Sequence, residues 1–170
     1  MQGNHVILNL PNNGNPIWLE CTSQKVPFGH IANFTDDRDV FVITPEGGRI
    51  EHTKAYTSQE NYLKTSAEVF FTETGEMSAD IKSKSGGTQY DERLSYVINS
   101  DQKDRDKHYK EYWDYINGLT LEAIDIKNNR DAIEIEEYLK QVNSPTTETE
   151  EKNDNKKQEN SSTEVVNLNK

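Results

Sequence analysis

The sequence lacks the residues that would cross-link the chain or anchor it in a membrane. Its 170 residues include a single cysteine, which excludes an internal disulfide framework and a cysteine-rich zinc site. It has no apolar run near the roughly 18 residues that span a bilayer. Its first residues lack the basic region and the apolar core of a signal peptide. We therefore expect no membrane span and no signal peptide in this chain.

Basic and apolar residues are also scarce. The chain has 19 lysines and arginines against 30 aspartates and glutamates, a formal net charge of −11, and only 32% hydrophobic residues. A nucleic-acid binder needs clustered Lys and Arg, so this balance argues against a nucleic-acid partner. Self-repulsion of the negative charge favours a monomer. The low apolar content predicts that part of the chain packs into no core.

The start of the chain has the pattern of a β-hairpin. Two runs of strand-forming residues, 4–10 and 17–22, flank a Pro-Asn-Asn-Gly-Asn-Pro loop. The first run carries His5 and the second carries Glu20. Because side chains alternate along strands, an odd sum of paired residue numbers places these two on one face, and an even sum separates them. The sequence allows both registers.

The remaining pattern predicts further strands, one helix and a tail. The apolar run 40–44 is typical of a strand buried on both faces. A helix is predicted at about 101–117, with Ser100 as its N-cap. Its aromatic stripe consists of Tyr109, Tyr112, Trp113 and Ile116. Residues 143–170 are polar and contain no aromatic residue, so we expect them to be disordered. The other predicted strands are 49–53, 65–72, 77–81, 88–98, 119–126 and 131–139.

His5 and Glu20 are the first candidates for chemistry. Histidine is the usual general base near neutral pH, and a carboxylate can hold its tautomer. The pair still needs a nucleophile, and without one it is more typical of an ordinary strand pair than of a catalytic site. Cys21 follows Glu20 in the same strand and should point to the opposite face, so we expect it to be a buried small hydrophobe.

Other candidate sites have weaker patterns. Three histidines occur singly, without the spacing of a metal site, and three aspartates lack the glycine and the distal glutamate of a calcium loop. We therefore expect no metal and no cofactor, and a solvated turn at the aspartates. The residues concerned are His30, His52, His108, Asp36, Asp37 and Asp39.

The hairpin residues carry a resemblance to a known family. The run Asn4-His5-Val6-Ile7, followed after a turn by Trp18-Leu19-Glu20-Cys21-Thr22-Ser23, resembles the back half of a transglutaminase-like domain. In this papain-related superfamily, a Cys–His–Asp triad lies at a helix N-terminus and on two successive strands. His5 matches the histidine, Glu20 the acid and Thr22 the following threonine. The continuation through residues 27–48 resembles a bacterial exported subfamily with a C-terminal β domain.

The resemblance covers about residues 3–140 and implies a fold and a parent activity. It implies a β-dominated α+β chain with antiparallel strands. Residues 1–55 would be the C-terminal strands of a transglutaminase-like core, 56–63 a linker, and 64–140 an incomplete β-sandwich-like domain that contains the one helix. The parent would be a cysteine-dependent peptidase, amidase or acyltransferase, acting on a protein or peptide in the periplasm or cell envelope. His5 would be its base and Glu20 its orienting acid.

Two departures and two alternatives accompany the resemblance. Glu20 stands where the superfamily usually has Asp, and the expected cysteine upstream of His5 is absent from this sequence. We therefore expect the chain to be inactive alone, as a fragment that begins inside a domain. One alternative is a non-catalytic β-sandwich module for binding or cell-envelope architecture. The other is a truncated gene product with no independent function.

Overall fold

The protein is β-dominated, as the sequence predicted. The structure is a computed structural model that describes the backbone of residues 5–143 and 164–169, and the side chains of residues 5–96 and 99–143. Its strands form antiparallel sheets. In chain order the elements are β1 (Leu8–Leu10), β2 (Ile17–Leu19), β3 (Asp39–Thr44), β4 (Gly47–His52), β5 (Tyr62–Phe71), β6 (Met77–Gly86), α1 (Thr88–Asn99), α2 (Gln102–Tyr112), β7 (Leu119–Asn129), β8 (Glu134–Asn143) and β9 (Glu164–Asn169).

The first hairpin has an odd register. Strand β1 pairs with β2 so that Leu8 lies opposite Leu19, and paired residue numbers add up to 27. This register places His5 and Glu20 on the same face. That face is the covered one, because Trp18 is only 5% exposed, whereas Val6 on the opposite face is 81% exposed.

The second hairpin pairs β3 with β4, as predicted, but its burial differs from the prediction. We expected the run 40–44 to be buried on both faces, and this is wrong: Phe41 and Ile43 are 64% and 82% exposed. The reason is that β3 and β4 form a two-stranded sheet of their own. The ring of Phe41 instead lies over Gly48, which has no side chain to obstruct it.

Residues 88–98 form a helix, although we predicted a strand, so the prediction of a single helix is wrong. Tyr90 and Leu94 are buried at 0% and 4% exposure, four residues apart, which is the spacing of one helix face. Helix α1 follows Gly87, whose φ is +63°. Glycine adopts this backbone conformation without strain.

The predicted helix at 101–117 is α2, with different ends. Asp101 is the N-cap in place of Ser100, and its carboxylate accepts a 2.9 Å hydrogen bond from the backbone N–H of Asp104. The helix ends at Tyr112, not at residue 117. Only part of the aromatic stripe is core, because Tyr109 is 5% exposed whereas Tyr112 is 58% exposed.

A five-stranded sheet has the order β7-β8-β6-β5-β9. The predicted disordered tail, 143–170, lies mostly outside the described residues; Asn143 ends β8, and β9 pairs antiparallel with β5. Among the described residues, no helix is long and apolar enough to cross a membrane.

Backbone contacts divide the chain into two compact units. Unit 1 contains the two hairpins and α1, and its core includes Trp18, Ile31 and Tyr90. Unit 2 contains α2, whose Tyr109 donates a 2.9 Å hydrogen bond to Glu137 on β8. The predicted boundary at 56–63 stays a prediction. Unit 1 comprises Met1–Tyr62, Ser85–Ile98 and Asn128–Ile135, and unit 2 comprises Leu63–Lys84, Asn99–Lys127 and Glu136–Lys170.

The entry to α1 gives a test of unit 1. A Cβ at Gly87 would lie 2.7 Å from the Cα of Asn61 and 2.8 Å from the carbonyl oxygen of Glu60, so it would clash with backbone. We expect Gly87→Ala to lower the free energy of unfolding by about 2 to 4 kcal/mol, measured by urea denaturation. Gly75→Ala is the control, with φ +82° but open space, and should cost about 1 kcal/mol. Equal losses would contradict the packing at Gly87.

Candidate functional site

His5 and Glu20 meet on the covered face of the first hairpin. His5 Nε2 lies 2.8 Å from Glu20 Oε2. The Glu20 side chain is 2% exposed, and the His5 side chain is 25% exposed. The glutamate side chain, which is one methylene longer than aspartate, therefore reaches the histidine at a normal hydrogen-bond distance. The histidine remains partly accessible to solvent. The structure brings the two predicted site residues together.

Thr22 holds the other oxygen of the same carboxylate. Its hydroxyl donates to Glu20 Oε1 at 2.7 Å, and its backbone N–H donates to the same oxygen at 3.1 Å. Burial raises the pKa of the Glu20 carboxyl, but the hydrogen bonds from Thr22 and His5 outweigh it, and the pKa falls below its ordinary value. Glu20 is therefore a carboxylate at neutral pH, with both of its oxygens occupied.

The carboxylate determines the tautomer of the histidine. An ionised Glu20 only accepts hydrogen bonds, so His5 must donate its Nε2–H. In the neutral imidazole this leaves a lone pair on Nδ1, which has no hydrogen-bond partner among the residues that the structure describes. Phe34 packs against the imidazole edge-to-face, with ring centroids 5.1 Å apart. The result is an oriented, partly exposed base.

Cys21 is not part of this arrangement. We expected it to be buried, and this is wrong: it is exposed, and its Sγ lies 3.6 Å from the carbonyl oxygen of Leu19, two residues earlier in the chain. The reason is that Cys21 lies beyond the last paired residue of β2, Leu19, where nothing covers it. Among the described residues, no sulfur therefore reaches His5.

The other histidines differ from His5 in access or in pairing. His52 bonds Asp39 through Nδ1 and Asp37 through Nε2, both at 2.8 Å. These two hydrogen bonds raise the pKa of His52 and leave neither nitrogen free. His30 is fully buried, with Nδ1 3.2 Å from the Tyr56 hydroxyl and Nε2 3.7 Å from the nearer Asp91 oxygen. Neither histidine offers an accessible lone pair.

Metal ligation was not predicted for this sequence. In the described part of the chain, no three His, Cys, Asp or Glu side chains are placed to hold a metal ion. His52 and its two aspartates occupy each other instead, on an exposed surface. The pattern of scattered histidines gave no sign of these partners, since Asp39 and His52 meet only through the pairing of β3 with β4.

The sequence did not indicate that Phe34 would contact the imidazole of His5. Of the three large apolar residues in the loop after the first hairpin, Phe28, Ile31 and Phe34, only Ile31 is buried, at 1% exposure. Phe34 is 51% exposed and packs against His5.

A comparison with family models, curated proteins and solved structures finds no match to this chain.

The carboxylate pocket predicts a pH effect. Thr22→Val removes the hydroxyl donor but keeps the shape and the backbone N–H, so burial should raise the pKa of Glu20. A depressed pKa stabilises the fold above the unfolded-state pKa, and this contribution is lost as pH falls through the folded-state pKa. As the pH falls, Thr22→Val should therefore lose the stabilising contribution of Glu20 at a higher pH than the parent chain does. Carboxyl ¹³C NMR titration measures the pKa directly.

The control for this titration is Ser23→Ala. The Ser23 hydroxyl accepts a hydrogen bond from the backbone N–H of Lys25. This bond does not involve the Glu20 carboxylate. This variant should leave the Glu20 titration unchanged. The same Glu20 pKa in Thr22→Val and in the parent chain would show that Thr22 does not hold the carboxylate.

Proposed function

We propose that this chain carries the general base and the orienting acid of a transglutaminase-like, cysteine-dependent amide-processing enzyme. The observation that supports it is the 2.8 Å contact of His5 Nε2 with a buried Glu20 carboxylate that Thr22 also holds. The same three residues are those that match the family pattern. A peptidase, amidase or acyltransferase acting on a protein or peptide is the corresponding activity.

Each residue has a role in the proposed chemistry. His5 Nδ1 would take the proton of a cysteine thiol, and the thiolate would attack the carbonyl carbon of the substrate. Glu20, which accepts from Nε2, would stabilise the imidazolium that forms and keep its ring oriented. The imidazolium would then return the proton to the leaving amine. Glutamate in place of the usual aspartate is compatible with this role, since its reach to His5 is met.

The nucleophile of the proposed enzyme is not Cys21. That thiol is exposed and donates a hydrogen bond to the carbonyl oxygen of Leu19. We therefore propose that a cysteine outside this sequence completes the site in the parent, an exported bacterial protein of the periplasm or cell envelope. No cofactor is needed for this chemistry, and a monomer would suffice.

A non-catalytic β-sandwich module for binding or cell-envelope architecture is the alternative. This alternative would have been favoured if His5 and Glu20 lay on opposite faces of the hairpin or beyond hydrogen-bond distance. They lie on the same face and are in hydrogen-bond contact. A truncated product with no independent function is the other alternative, against which a soluble, cooperatively melting chain would count.

The first test is the activity of the unmodified chain. Because its single cysteine does not reach His5, we expect no turnover of an activated amide above the buffer rate. The measurement is release of the leaving group over a pH range of about 6 to 9, which includes the range in which histidine is the usual general base. Turnover that His5→Ala abolishes would refute the proposed inactivity.

The second test asks whether His5 can activate a thiol. In a Cys21→Ser background, Phe34→Cys would place a thiol beside the imidazole that Phe34 now contacts. We expect its alkylation by iodoacetamide at pH 6.5 to be about tenfold faster than that of an ordinary thiol, which corresponds to a thiol pKa lowered by about one unit. Adding His5→Gln should remove the gain.

The matched control is Phe28→Cys in the same background. Phe28 lies in the same loop and is 69% exposed, and it has no ring contact with a histidine among the described residues. Its thiol should react at the ordinary rate, with or without His5. Equal rates for the two thiols, or a fast rate at position 34 that survives His5→Gln, would overturn the role of His5 as a base.

A further inference from the structure

Strand β4 has a free edge. Among the strands that the structure describes, β4 pairs only with β3, so its other edge presents backbone groups that no described strand binds. All but one of the residues of β4 are exposed, whereas those of β3 alternate between exposed and half-buried. We propose that this edge of β4 binds the same edge of a second copy of the chain, with the two β4 strands antiparallel.

The pairing with β3 determines which backbone groups face the free edge. The backbone N–H of Thr53 donates a 2.8 Å hydrogen bond to the carbonyl oxygen of Arg38, one step beyond the last pair of the two strands. Hydrogen-bonded and non-hydrogen-bonded pairs alternate along an antiparallel ladder, so Arg49 and Glu51 also bond to β3. The residues whose N–H and C=O groups face the free edge are therefore Gly48, Ile50 and His52.

Charge complementarity indicates a second copy as the partner. When the two-fold axis passes beside Ile50, Arg49 of each copy lies opposite Glu51 of the other, on the same face. Ile50, which is 66% exposed, then lies opposite its own equivalent and loses exposure against it. The neighbouring registers that keep the edge groups paired set Arg49 opposite Arg49 or Glu51 opposite Glu51. Like charges directly opposite each other are unfavourable, so the register centred on Ile50 is preferred.

Arg49 and Glu51 already form an ion pair within each strand. The Arg49 guanidinium donates to one oxygen of the Glu51 carboxylate, and the other oxygen accepts a 3.1 Å hydrogen bond from the Asn9 side chain. Two such pairs on adjacent antiparallel strands would form a square of alternating charges, in which each guanidinium has one carboxylate beside it and another opposite.

The net charge of the chain limits the strength of this association. A charge of −11 on each copy opposes dimerisation, and a single strand edge is a small contact. We therefore expect a weak and reversible dimer. This inference does not depend on the proposed function of His5 and Glu20.

The first experiment is sedimentation velocity of the full chain from about 10 µM to about 1 mM. We expect a dimer whose fraction rises with concentration and falls again on dilution. Amide hydrogen exchange over the same range locates the contact. Exchange at Ile50 and His52 should slow as the concentration rises, whereas exchange at Arg49 and Glu51, which bond to β3, should not change. A monomer throughout the range, or a dimer without this alternation, would overturn the proposal.

The second experiment is a charge swap that tests the register. Arg49→Glu would set acidic side chains opposite each other, and Glu51→Arg would do the same with basic ones. Each variant alone should therefore raise the Kd of the dimer by about tenfold or more. An equimolar mixture of the two variants restores opposite charges at each paired position. It should form a heterodimer with a Kd within about threefold of that of the parent dimer.

The matched control is Arg38→Glu, which makes the same change in net charge as Arg49→Glu but lies outside the β4 edge. Its Kd should stay within about twofold of the parent value. Thermal melting by circular dichroism identifies the folded variants, and hydrogen exchange of the parent chain tests the contact without any substitution. Equal weakening by Arg38→Glu and Arg49→Glu, or a mixture of folded variants that stays monomeric, would refute the paired edge.

Discussion

The Glu20 carboxylate is the constraint on which the site of unit 1 depends. A carboxylate that is 2% exposed is stable only when hydrogen bonds replace its hydration. Thr22 supplies two of these bonds from the segment that follows β2, and His5 supplies the third from across the hairpin. The third bond requires the odd register, because one residue of slip would send His5 to the other face. The carboxylate thus couples strand pairing to the tautomer of the histidine.

Three histidines of this fold lie beside carboxylates, and their environments differ. His5 has one carboxylate, partial exposure and an unoccupied Nδ1 among the described residues. His52 has a carboxylate on each nitrogen, which favours its charged form. His30 is buried and holds its loop to Tyr56. Only the first of these environments suits a general base, so the surroundings of the histidine decide its chemistry.

Net charge is similarly uninformative about a particular surface. The excess of acids argues against binding to a nucleic-acid backbone, which needs an extended basic surface. It does not prevent four lysines, Lys64, Lys82, Lys84 and Lys127, from lining one groove, because three strands of one sheet carry them. The five-stranded sheet brings those strands together, with β8 and its Glu136 between β7 and β6. Sheet order therefore brings together lysine side chains whose proximity the composition does not reveal.

The sequence by itself determined both hairpins and most strands, because turn residues and period-two alternation are local signals. The hairpin pattern also made His5 and Glu20 candidate partners, but it allowed either register. Only the tertiary structure decided that register, the exposure of Cys21 and the helical state of 88–98. The reason is that the burial of a side chain depends on the residues that pack around it, which are distant in the sequence. The spacing of Tyr90 and Leu94 is compatible with a helix face and with a strand, and packing in the core decides between the two.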